Sequence, residues 1–225
     1  MTRFCILFGT FAFAASQGAV FFYAPQEATL GLSQKIFYLH LPLAWWALVS
    51  FFIVFLCSIF FLKKQNPIFS HLAYSCAEIG ELCALLTVLT GIIWGYNAWG
   101  VWWTWDPRLT TALILCLIYA GWLILAHLDI ESSRKAKLLA VIGILAFLDV
   151  PLVFFSARIW RSIHPAVFTS QGAAMTPEML LTTLLTLFSF GFFWLGLVSV
   201  RYQIQKLDQR CTDLFLTALT KENEE

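Results

Sequence analysis

Long uncharged runs, broken by short polar stretches, organise this chain. Six runs, roughly residues 4–23, 41–62, 72–94, 109–128, 138–156 and 178–200, are apolar almost throughout. At about 1.5 Å per residue each is long enough to cross about 30 Å of hydrocarbon. The pattern predicts an all-α polytopic membrane protein in which residues 1–225 form a single domain of six transmembrane helices. The polar stretches between the runs leave no room for a soluble domain, and no internal repeat stands out. The pattern changes after Arg201, where Ile204, Leu207, Cys211, Leu214 and Phe215 recur on one side of a polar tail, 201–225. That spacing predicts an amphipathic helix, either docked on a cytoplasmic partner or lying against the protein itself.

The cations give the runs an orientation. With the N-terminus in the cytoplasm, Arg3, Lys63, Lys64, Arg134, Lys135, Lys137, Arg201, Lys206, Arg210 and Lys221 fall inside, and Lys35, Arg108, Arg158 and Arg161 fall outside. This bias obeys the positive-inside rule, so both termini are expected on the cytoplasmic side. The first run also resembles a signal peptide: "MTR", then "FCILFGTFAFAA", then Ser16. Its apolar character continues through Val20, Phe21 and Phe22, which favours a retained span.

Composition agrees with a bilayer setting. The chain is 60% hydrophobic and 12% charged, whereas a soluble domain is about half apolar and about a quarter charged. A net charge of +1 gives no reason to expect nucleic acid as a partner. None of the six cysteines forms Cys-x-x-Cys, and most lie inside apolar runs, so neither a disulfide nor a cysteine-held metal is expected.

Candidate chemistry gathers on the outer face. Residues 94–108 read "WGYNAWGVWWTWDPR" and hold five of the ten tryptophans: Trp94, Trp99, Trp102, Trp103 and Trp105. An aromatic belt at headgroup level explains one or two tryptophans per helix end, such as Trp45 and Trp46. It does not explain five, interleaved with Gly95 and Gly100. A flat ligand on an aromatic surface uses the rings and needs small residues beside them. The same face carries two histidines, His40 in "HLP" and His164 in "HP", and the cations Arg108, Arg158 and Arg161. Pro42 is expected to start the second span, leaving His40 near a helix N-terminus. Each histidine alone reads as an interfacial polar residue; two beside a tryptophan cluster suggest metal ligands. Haem b combines all three needs: a flat apolar plane, an iron that takes histidine, and propionates that arginine can hold. A quinone would use the aromatics without needing two histidines.

Other polar residues have structural readings. Asp106 and Pro107 in "WDPRLT" suit N-cap and N1 of the fourth span, a role that would also fix Arg108 in place. Glu78 and Glu81 lie one turn apart in the inner half of the third span; an intramembrane carboxylate is a functional candidate, and near the cytoplasmic end the structural reading is that it snorkels or pairs with another helix. Asp149 precedes Pro151 in the fifth span, where a kink is expected.

At these residues the chain resembles a known family. "WGVWWTWDPRLTT", the preceding "LTGIIWG", the short length and the six-span layout resemble the CcmC family of haem-handling proteins of cytochrome c maturation, which carry the Trp-rich WWD signature. The resemblance runs from about Phe37 in "FYLHLP" to the last span. It implies extracytoplasmic haem held by two axial histidines, which map onto His40 and onto His164 in "IWRSIHP". It further implies a place in a bacterial inner (plasma) membrane and delivery of haem to a periplasmic haem chaperone. The implied setting is an ABC-type complex with an ATPase, a second membrane subunit and a small helper membrane protein, so no ATPase activity is expected of this chain. Many members have two tryptophans just before the second histidine; here Ile159 precedes Trp160. The cytochrome c synthetases of the second maturation pathway share "WDP" but usually continue with Lys-Glu and are longer. A transporter of another substrate would show paired broken helices at the midplane.

Overall fold

Hydrocarbon offers backbone groups no hydrogen-bonding partners, so a spanning run must close its own ladder as a helix. The computed structural model describes residues 2–27, 30–128, 131–160, 168–169, 172–173 and 175–222. Its α-helices are α1 (Thr2–Phe22), α2 (Phe37–Lys64), α3 (Pro67–Trp99), α4 (Pro107–His127), α5 (Ser132–Ala146), α6 (Asp149–Ile159) and α7 (Pro177–Glu222). A 3-10 turn, Leu32–Ile36, leads into α2, and Phe168–Thr169 pairs antiparallel with Gly172–Ala173. Among the described residues, six helical spans are long and apolar enough to cross a membrane, α5 and α6 together making the fifth.

Three boundaries differ from the sequence reading. α2 begins at Phe37, so Pro42 lies inside the helix, and His40 sits at the end of its first turn. α3 runs on to Trp99, so Trp94 and Trp99 are helical and only residues 100–106 form the connecting loop. The fifth span is interrupted at Phe147–Leu148, immediately before Asp149, which gives the expected Pro151 kink a definite place. Proline is tolerated there because it falls in the first turn of α6, where its missing N–H has no intrahelical acceptor.

Lipid removes most of the hydrophobic drive between helices, so close packing and interhelical hydrogen bonds carry the assembly. α1 lies antiparallel along α7, with Thr2 near Gln203 and Ser16 near Ser189. A Cβ on Gly9 would stand 2.3 Å from the Phe193 backbone nitrogen, so glycine sets the closeness of that contact. In the centre, the Trp46 ring stacks on Trp194 at 4.7 Å, and the Trp194 indole donates to Ser50 Oγ at 2.8 Å. Trp46 is therefore an interior residue, while Trp45 is exposed as a belt residue would be.

The alternating helices give the bundle two different ends. The end with the α2–α3 and α4–α5 connections is tied by polar pairs. Glu78 accepts from Arg201 Nε and Nη2 at 2.7 Å each, the pairing expected of an inner-half carboxylate. Glu81 is buried, and neither of its carboxylate oxygens has a hydrogen-bond partner among the described residues. At the same end, the tail continues α7 as one helix to Glu222 and leaves Ile204, Leu207, Leu214 and Phe215 exposed. The stripe does not lie back on the protein.

Candidate functional site

The opposite end collects the aromatic segment. Glycine stops α3 there: Gly100 adopts φ 74°, a left-handed conformation costly for other residues, and its N–H caps the helix on Tyr96 O at 2.9 Å. A loop of six residues follows before α4. The Asp106 carboxylate accepts from the Arg108 backbone N–H at 2.9 Å, with Pro107 at the first helical position, as the sequence implied. The loop is thus held by two helix caps, which fixes the path of Trp102, Trp103 and Trp105 without burying them all.

Among the described residues the rings of this segment form three pairs. Trp94 meets Trp99 edge-on at 5.0 Å, and the Trp99 ring covers Gly95, where an added Cβ would touch it at 3.4 Å. Trp102 stacks on Tyr96 at 4.1 Å with 10° between the planes. Trp103 and Trp105 meet edge-on at 5.9 Å. Trp102 is 58% exposed and Trp105 77%. Large aromatic faces are left open, though stacking and burial would favour covering them.

His40 joins this cluster through α3. Its Nδ1 lies 3.0 Å from Thr90 Oγ1, and its Cε1 lies 3.2 Å from where a Cβ on Gly91 would stand. Residues three and four apart share a helix face. Thr90 and Gly91 therefore present His40 on the face that carries Trp94 and Gly95 one turn later. The Lys35 ammonium donates to Val20 O in the last turn of α1 and to Ala24 O just beyond that helix, and anchors the turn that leads into α2.

Polar atoms around the loop await partners. The Trp103 indole N–H and the Thr104 and Thr110 hydroxyls are buried, with no hydrogen-bond partner among the described residues. Exposed flat rings, a histidine packed against the same α3 face and orphaned donors in the loop and the first turn of α4 fit a flat, anionic, metal-bearing molecule such as haem. The aromatic faces would take its plane, His40 its metal, and the donors its carboxylates.

Of the residues read from the sequence, Trp94, Trp99, Gly100, Trp102, Trp103, Trp105, Asp106 and Arg108 lie at one end with His40. Gly100 and Asp106 have structural reasons to be there as helix caps. Arg158 lies in the last turn of α6; Arg161 and His164 lie outside the described residues. Trp160, which caps α6, is exposed. The sequence reading missed Tyr96 and Thr90. Both stood in the quoted segments, but pairing Tyr96 with Trp102 requires the Gly100 turn, and pairing Thr90 with His40 requires the α2–α3 packing.

Comparison with known proteins identifies the family. The family model described as Heme exporter protein C, CcmC, matches residues 1–216. Heme exporter protein C of Bradyrhizobium diazoefficiens is 32% identical over 185 residues, 80% of this chain and 70% of the relative. That of Haemophilus influenzae is 31% identical over 208 residues, 88% of this chain and 82% of the relative. That of Paracoccus denitrificans is 28% identical over 205 residues, 90% of this chain and 83% of the relative. With a family match over nearly its whole length, this multi-pass membrane protein belongs to the CcmC, or Heme exporter protein C, family.

Proposed function

We propose that this chain is a haem-handling subunit of cytochrome c maturation that holds haem b at the tryptophan end of its bundle and presents it to a haem chaperone. The observation that carries the reading is the placement of His40 on the face of α3 that continues into the aromatic segment. His40 and His164 would supply nitrogen ligands to the iron, one from each side of the segment in the sequence. The open faces of Trp102 and Trp105 bear on the porphyrin. Trp94, Trp99 and Trp103 form the wall beneath, and Arg108, Arg158 and Arg161 hold the propionates. Bound haem supplies an iron that accepts two nitrogen ligands and a plane that stacks.

The single six-helix domain sits in a bacterial inner membrane, with this end facing the periplasm, where the chaperone would collect its cargo. An open site suits delivery, because a partner must reach the haem edge. The exposed stripe of the α7 tail, at the other end, suits docking of an ABC ATPase on the cytoplasmic side. A second membrane subunit and a small helper protein complete the complex.

The orientation is testable by single-cysteine labelling in a Cys211→Ser background, since the other five cysteines are buried. Cysteines at Val101 and Asn97 react with an impermeant maleimide added to intact spheroplasts, while those at Gln65 and Arg134 react only after lysis. Reaction of the Val101 position only after lysis would place the site on the wrong face for a periplasmic chaperone.

A further inference from the structure

The hydrogen bond between His40 and Thr90 has a direction, and the direction bears on the iron. The Thr90 hydroxyl has one proton to give. It lies 2.8 Å from Leu86 O and 3.1 Å from Thr87 O on its own helix, and a carbonyl can only accept. With the proton on those carbonyls, Thr90 Oγ1 meets His40 Nδ1 at 3.0 Å as an acceptor. We infer that Thr90 is a positioning residue that holds His40 as the Nδ1–H tautomer, so that its Nε2 lone pair is the one offered to a metal.

The inference rests on the reading of His40 as an iron ligand and adds what prepares it. A neutral imidazole carries its proton on one nitrogen and a lone pair on the other, and the partner of the first decides which nitrogen binds. The α2–α3 contact also limits ring rotation: Gly91 permits the imidazole to lie close to the α3 backbone, and a methyl group there would crowd Cε1. Tautomer and orientation are thus set before any ligand arrives. Thr90 contacts the histidine rather than the cargo, so it acts through His40.

His127 is a control within the same molecule. Its Nδ1 lies 2.8 Å from Leu123 O, which fixes the same tautomer, but its Nε2 accepts from the Tyr74 hydroxyl at 3.1 Å. The same device thus fixes the tautomer of a histidine that the haem reading does not use.

The experiment uses the full chain in detergent, with the ring nitrogens read by long-range 1H–15N NMR on the haem-free protein. The pH is one at which the imidazoles are neutral, and His40→Gly and His127→Ala identify the signals. His40 shows the Nδ1–H pattern in the wild type and in Thr90→Ser, and loses it in Thr90→Val, while His127 is unchanged in all three. Titration with ferric haem then shows affinity about tenfold weaker for Thr90→Val, within the range typical of removing such a partner, and restored in Thr90→Ser. An Nε2–H pattern in the wild type, or no response to Thr90→Val, would overturn the inference. If His40→Gly bound haem with an unaltered low-spin spectrum, the ligand reading itself would fall. Thr90's role toward haem would fall with it, while the hydrogen bond seen without haem would stand.

Discussion

Two groups of tryptophans in this bundle differ in what they do with their rings. Trp46, Trp122 and Trp194 lie among the helices, and each places its indole N–H on an acceptor: Leu187 O at 3.0 Å, Leu139 O at 2.8 Å and Ser50 Oγ at 2.8 Å. In the α3–α4 connection the accounting is reversed. Trp102 and Trp105 are mostly exposed, and the Trp103 indole N–H is buried with no partner among the described residues. A buried unpaired donor costs about 1–3 kcal/mol, and exposed indole faces forgo the stacking and burial that make tryptophan useful in a core. The first group builds the bundle. The second is held at a cost to stability, as expected where side chains are kept for a ligand. The histidines divide the same way, His127 lying in a local polar network and His40 against the aromatic end.

Replacing one member of each group should separate stability from binding most widely. Trp46→Ala removes a ring stacked on Trp194 and packed over Gly191, and is expected to destabilise the detergent-solubilised protein by about 3 kcal/mol. Trp102→Ala should change stability by no more than about 0.5 kcal/mol, while weakening haem binding far more than Trp45→Ala does. Thermal unfolding and Soret titration on matched preparations read both quantities. Equal loss of stability at Trp46 and Trp102 would erase the distinction.

Glu78 and Arg201 extend the comparison to the polar end. Glu78→Gln removes the charge and one of the two acceptors that Arg201 uses, and a cost of about 2 kcal/mol is expected, below that of a fully buried pair because both groups are partly exposed. Haem affinity should not change. A change there would mean that the two ends are coupled.

Asp106→Ala sharpens the comparison from the other side. It removes an N-cap, worth about 1 kcal/mol, and should also reduce haem retention, because the loop loses one of its two fixed ends. Asp106→Asn, which can still accept from the Arg108 N–H, should retain both. The smallest effect is expected at Arg108→Gln, about 0.5–1 kcal/mol in haem binding for a partly exposed charge contact. A haem with esterified propionates should bind wild type and variant equally; a persisting difference would exclude contact with the propionates.

Much of this architecture was legible from one sequence, because lipid makes the relation between run length and helix direct. The caps at Asp106 and Pro107 were legible for a similar reason: their chemistry is local. The chain did not reveal where α3 would end, since Gly100 works through a backbone angle and "NAWG" reads equally as loop. Trp46 was misplaced because an interfacial belt and an interior stack use the same residue, and only the contact with α7 distinguishes them. Thr90 was invisible as a partner of His40 because fifty residues separate them and the pairing belongs to the α2–α3 packing.

The central claim is that this end of the bundle holds haem through His40 and His164. Electron paramagnetic resonance and absorption spectra of the purified ferric complex test it most directly, for the wild type, His40→Gly, His164→Gly and His127→Ala. The wild type and His127→Ala should be six-coordinate and low-spin, as two neutral imidazoles require. Each glycine variant should lose that signal and much of its haem, and added imidazole should restore the spectrum. A low-spin signal unchanged in both glycine variants would contradict the account and leave the open tryptophans in need of another ligand.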